Sequence, residues 1–143
     1  QGIPSFSPEI FKELINLDPM KAKQLEKGID QLTDEGVAQL FLQPQLGNRK
    51  IVGTVGDLQY EVIQYRLEHE YGVDMIFEPY DCHTARWLKG SDADLKAIAD
   101  KYGFNVGLDS ADDYVYLAPN RVNLQMAQER YPEIEFKETR EIA

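Results

Sequence analysis

Little in this chain can hold it together covalently. Cys82 is the only cysteine, so an internal disulfide framework is excluded and a reducing cytoplasm is the expected compartment. Long apolar runs are missing as well. No stretch approaches the roughly 20 apolar residues of a membrane-spanning helix, and no secretory signal pattern opens the sequence. One cysteine and two histidines make a poor stock for a zinc site, which ordinarily takes four well-spaced ligands. Basic residues are scarce: 15 Lys and Arg stand against 25 Asp and Glu, a formal charge of −10. That balance argues against broad, non-specific binding to nucleic acid, which rests on many cationic contacts to phosphates. It leaves room for a small basic patch, and acidity of this size otherwise aids solubility.

What is present suffices for a packed interior. The 143 residues are 43% hydrophobic and 10% aromatic, which fits one domain or two small subdomains sharing a core. The organising stretch runs from Gly53 to Val73. It reads as a strand end, a glycine turn at Gly56, a helix opened by Asp57, a left-handed stop at Gly72 and a new strand. At 100° per residue, Leu58, Val62 and Tyr65 form one apolar stripe and Tyr60, Ile63 and Leu67 another, on roughly opposite sides. A surface helix needs one stripe. The second implies that another layer covers this helix, so aspartate at either Val62 or Leu67 is expected to unfold the chain.

The rest follows in order. Residues 1–8, with Pro4, Ser5, Ser7 and Pro8, read as a linker, and the missing initiator Met suggests a longer parent chain upstream. Glu9 to Leu17 fits either a helix or a strand; the strong helix start at Asp18-Pro19 favours the strand. Pro19 to Glu35 is a helix with Ala22, Leu25, Ile29 and Leu32 on one face, ended by Gly36. Val37–Leu42 and Lys50–Val55 form a hairpin around Gly47-Asn48, and Val73, Met75 and Phe77 alternate along a strand. This is a βαββαβ order. The second half repeats it: strand Thr84–Lys89, helix from Ser91 to Gly103, strands Phe104–Leu108 and Tyr114–Ala118, a helix capped by Asn120 or Asn123, and strand Ile134–Lys137. The expected class is α+β, two ferredoxin-like βαββαβ units packed together, residues 9–80 and 81–143. Their juxtaposition would account for the doubly apolar helix.

Few residues suggest catalysis. Cys82 and His83 are adjacent and point to opposite sides of an extended segment, which suits a buried thiol better than a nucleophile–base pair. Asp109, Asp112 and Asp113 read as a polar turn, lacking the closing Glu of a calcium loop. Glu61, Glu68 and Glu70 read as a solvated helix face. Gly53-Thr54-Val55-Gly56 has neither the Lys-Ser/Thr end of a phosphate loop nor the third glycine of a dinucleotide turn. The binding candidates are basic: Arg49 and Lys50 at a hairpin tip, Arg86 beside Trp87, and Arg121, Arg130 and Arg140 toward the C-terminus.

At these residues a family resemblance appears. Val52-Gly53-Thr54-Val55-Gly56-Asp57-Leu58-Gln59, Thr84-Ala85-Arg86-Trp87, and Gln128-Glu129-Arg130-Tyr131-Pro132 through Phe136 to Thr139-Arg140-Glu141 resemble the C-terminal domain of bacterial peptide-chain release factor three, the GTP-dependent class II factor. The resemblance runs from Phe6 to the tail. The first half is also similar to the third domain of elongation factor G. The resemblance implies a domain that docks on the ribosome, through ribosomal protein and rRNA at the subunit interface. It also implies contact with the protein's own GTPase and β-barrel domains, and thereby release of class I release factors after peptide release. GTP and Mg would belong to the upstream GTPase domain, since no GxxxxGK[ST] occurs here; no cofactor and no membrane contact are expected of this stretch. The alternatives from other classes are a ferredoxin-like ligand-binding or regulatory module and a small enzyme using Cys82 and His83.

Overall fold

Alternation along the strands sets the layers. The structure, a computed structural model, describes residues 6–139. In β1 (Ile10–Asn16) Phe11 and Leu14 are buried on opposite faces, and in β3 (Arg49–Thr54) Ile51 and Val52 are too. Strands buried on both faces need cover on both sides. One side comes from α1 (Ala22–Asp34) and α2 (Leu58–Tyr71), which with β2 (Gln39–Gln43) and β4 (Met75–Pro79) complete the first unit. The second unit has the same order: β5 (Thr84–Lys89), α3 (Asp92–Lys101), β6 (Val106–Leu108), β7 (Tyr114–Ala118), α4 (Arg121–Arg130) and β8 (Glu135–Lys137).

Among the described residues eight strands form one antiparallel sheet, ordered β4-β1-β3-β2-β6-β7-β5-β8. Each half therefore has the ferredoxin-like arrangement, fourth-first-third-second. The halves are joined through their second strands by one register pair, Leu42 opposite Leu108. Gly107 lies so close to the Leu42 carbonyl oxygen there that a Cβ would sit at 3.0 Å. Gln43, 1% exposed, fastens the joint by donating Nε2 to the Phe104 carbonyl at 2.9 Å.

Among the described residues, three buried clusters form the interior. One lies under α1 and α2, with Leu25, Ile29, Ile63 and Leu67 against Leu14 and Val52. A second lies under α3 and α4, with Ile98 and Ala127 against Tyr116 and Leu88. The third joins the helix-free faces of the two halves: Phe11, Phe41 and Ile51 meet Ala85, Trp87, Val115 and Leu117. Phe41 and Trp87 stand edge to face at 5.8 Å although β2 and β5 are three strands apart. In a flat sheet that separation is about 14 Å. The sheet therefore curls until its two halves pack on each other.

This arrangement corrects one expectation. The second unit meets the first on its helix-free face, so it does not cover α2. Tyr60, Ile63 and Leu67 are buried, whereas Leu58 (72%), Val62 (49%) and Tyr65 (60%) are exposed. Unfolding by aspartate is thus expected at Leu67 and not at Val62. Element ends also shift: the strand expected from Phe104 starts at Val106, after a 3₁₀ turn over Gly103–Asn105 that leaves Phe104 exposed. Among the described residues no helix is long and apolar enough to cross a membrane.

Candidate functional site

Two amides of the glycine turn before α2 are already taken within the chain. The Gln59 side chain reaches back, and its Oε1 accepts from both Val55 N and Gly56 N at 3.0 Å. Its Nε2 donates to the Val37 carbonyl at 3.1 Å, tying the turn to the segment before β2. Gly53 is explained by packing, since a Cβ would lie 2.8 Å from Pro8 Cβ. Asp57 makes no capping hydrogen bond and instead pairs with Lys12 at 3.2 Å.

The remaining chemical candidates serve the fold. Burial pushes the Cys82 thiol up to about 12, and its Sγ lies 3.4 Å from the Thr84 carbonyl oxygen. Such a thiol is protonated at neutral pH and is no nucleophile. Asp109 uses one carboxylate oxygen for Trp87 Nε1 and the other for the amides of Ala111 and Asp113. Among the described residues no three His, Cys, Asp or Glu side chains are grouped to hold a metal. A cavity of about 120 Å³ opens at the β2–β6 joint, lined by Gln43, Ala99, Val106 and Tyr114 among others.

The basic candidates are dispersed. Arg49 pairs with Glu13 at 3.0 Å and lies over the Tyr80 ring at 5.1 Å, an arrangement that holds its charge more firmly. Lys50 follows it on the opposite face of β3, half-buried. Arg86 donates to Thr84 Oγ1 at 2.7 Å and to the Ala85 carbonyl at 3.0 Å, with Glu138 at 4.0 Å. Arg121 and Arg130 are exposed at the two ends of α4. Nine residues of helix put them about 13 Å apart and half a turn round, so they flank the buried side on opposite flanks. Arg140 lies outside the described residues.

A more coherent surface escaped the reading of the sequence, because its residues were assigned to the interior. Leu58, Val62 and Tyr65 are exposed in 4-3 spacing along α2, and the His69 ring stacks on Tyr65 at 4.0 Å. The apolar spacing was legible; which stripe the protein would leave open was not.

Two ferredoxin-like units joined in one curled sheet define an α+β domain. Residues 1–128 match the family described as class II release factor RF3, C-terminal domain, and the chain belongs to that family. The family is one of release factors, which act in translation termination.

Proposed function

We propose that this chain is the ribosome-interacting domain of a cytoplasmic translational GTPase that drives class I release factors off the ribosome after peptide release. The observation that supports it is the family match over residues 1–128. In this reading GTP and Mg are bound by a separate GTPase domain, and residues 9–80 and 81–143 act as two units of a lever whose position reports the nucleotide state. Contact with rRNA falls to the exposed Arg121 and Arg130, with Lys50 and Arg140 as further candidates. Arg49 and Arg86 already have internal partners and serve mainly to hold the surfaces they border.

The test uses the full-length factor and a version lacking this domain. A fluorescent class I release factor is loaded on ribosomes after peptide release, and its departure is timed with GTP present. Deletion is expected to abolish accelerated departure while nucleotide binding persists. Equal acceleration by both proteins would remove the proposed role. A ligand-binding or regulatory module is the second reading, and the cavity at the β2–β6 joint is the observation in its favour. It gains if the deletion leaves departure unchanged.

A further inference from the structure

We infer that the outer face of α2 is a docking surface for a basic protein segment carrying an apolar ridge. The inference rests on the ribosome reading above, and on that reading the segment belongs to a ribosomal protein rather than to rRNA.

Isolated apolar residues on a surface are ordinary, but an unbroken row on one helix is not. Taking Leu58 as 0°, Val62 falls near 40°, Tyr65 near 340° and His69 near 20°, at about 100° per residue. The buried residues Ile63, Leu67 and Tyr60 lie near 140°, 180° and 200° on the same scale. The row therefore points directly away from the sheet. From Leu58 to His69 it extends about 16 Å, and its 3-4 spacing is the kind that accepts the ridge of another amphipathic element.

Charge selects the occupant. Exposed Glu61 and Glu68 form one flank. On the other flank α2 itself carries one cation, Arg66, which is held by Glu35 at 3.2 Å and by Glu70 at 3.1 Å. Asp57, before the helix, is balanced by Lys12. Uncompensated charge beside the row is therefore negative. An RNA backbone would be repelled, and a second copy of this helix would set glutamates against glutamates. A segment with lysine or arginine on either side of an apolar ridge satisfies both features.

The test places p-benzoylphenylalanine at Val62 in the full-length factor and irradiates it on ribosomes with a non-hydrolysable GTP analogue. The expected product is an adduct with a Lys/Arg-rich ribosomal protein, resistant to ribonuclease. An adduct with rRNA or with a second copy, or no adduct although the factor co-sediments, would overturn the inference. Two further variants bear on affinity. The pair Leu58→Ser/Tyr65→Ser and the pair Glu61→Lys/Glu68→Lys should each weaken ribosome binding about tenfold, as loss of central interface contacts does, with melting temperature unchanged. Unchanged affinity in both pairs would overturn it equally. If the wild-type factor itself fails to co-sediment, the ribosome reading fails first and this inference falls with it, a result distinct from the others.

Discussion

The indole Nε1 of Trp87 donates to Asp109 Oδ2 at 2.9 Å, a hydrogen bond between two buried side chains. Asp109 Oδ1 accepts from the amides of Ala111 and Asp113, both at 2.9 Å. One carboxylate thus ties β5, in the cluster between the two halves, to the turn between β6 and β7. Asp109→Ala leaves the indole donor buried without this acceptor and releases two turn amides. A cost of about 1–3 kcal/mol is expected from the orphaned donor alone. Trp87 is the only tryptophan, so its fluorescence reports the transition in urea. An unchanged midpoint would mean that the pair is incidental.

The two stripes of α2 separate cleanly by mutation. Leu67, fully buried under the helix, should lose about 2–5 kcal/mol as Leu67→Ala and fail to fold as Leu67→Asp. Val62→Asp should stay within about 0.5 kcal/mol of the parent, as for most surface changes. Thermal melting of the three variants decides it. A collapse of Val62→Asp would show that the outer stripe is covered after all.

Gly28 sits inside α1, where helix propensity alone favours alanine by about 1 kcal/mol. A Cβ there would lie 2.6 Å from Leu67 Cδ2 and 3.0 Å from the Tyr71 ring. Overpacking of that kind costs about 1–3 kcal/mol. Gly28→Ala should therefore lower the melting temperature. A rise would mean that α1 and α2 can move apart at no cost.

Burial pushes Cys82, Tyr80 and Tyr116 each up to about 12, from ordinary values of 9 for the thiol and 10 for the phenols. A raised folded-state value favours the protonated, folded form. The corresponding stability is complete below pH 9 and is lost as pH rises from 9 toward 12. Removing the thiol as Cys82→Ala should delay the onset of alkaline destabilisation from near pH 9 to near pH 10, where the tyrosines begin to titrate. Urea midpoints between pH 8 and pH 11 measure this. Superimposable profiles for the two proteins would show that the thiol takes no part.

Much of this fold could be read directly from local chemistry. Ser91 and Asn120 cap α3 and α4 through Asp94 N at 3.1 Å and Asn123 N at 2.7 Å, and Gly36 and Gly72 adopt the left-handed conformation that ends a helix. The strand over Thr84–Lys89 was equally legible, although Arg86 and Trp87, neighbours in sequence, stand on opposite faces of it. What could not be read was which face meets which. The halves join through a single strand pair, Leu42 and Leu108, too small a signal to stand out in sequence. Once the helix-free faces pack together, α2 becomes an outer layer, and a stripe that periodicity assigns to the interior is left in solvent. The Gln59 side chain was equally hidden. It occupies the amides of the glycine turn from three and four residues away, a role that its position alone does not announce.

The most direct test of the domain's role is co-sedimentation with ribosomes of the full-length release factor, intact and without this domain, under GTP and under GDP. Binding that favours GTP in the intact factor and disappears on deletion is the predicted result. Undiminished GTP-dependent binding by the deleted factor would contradict a docking role and leave this chain as a stabilising or regulatory attachment.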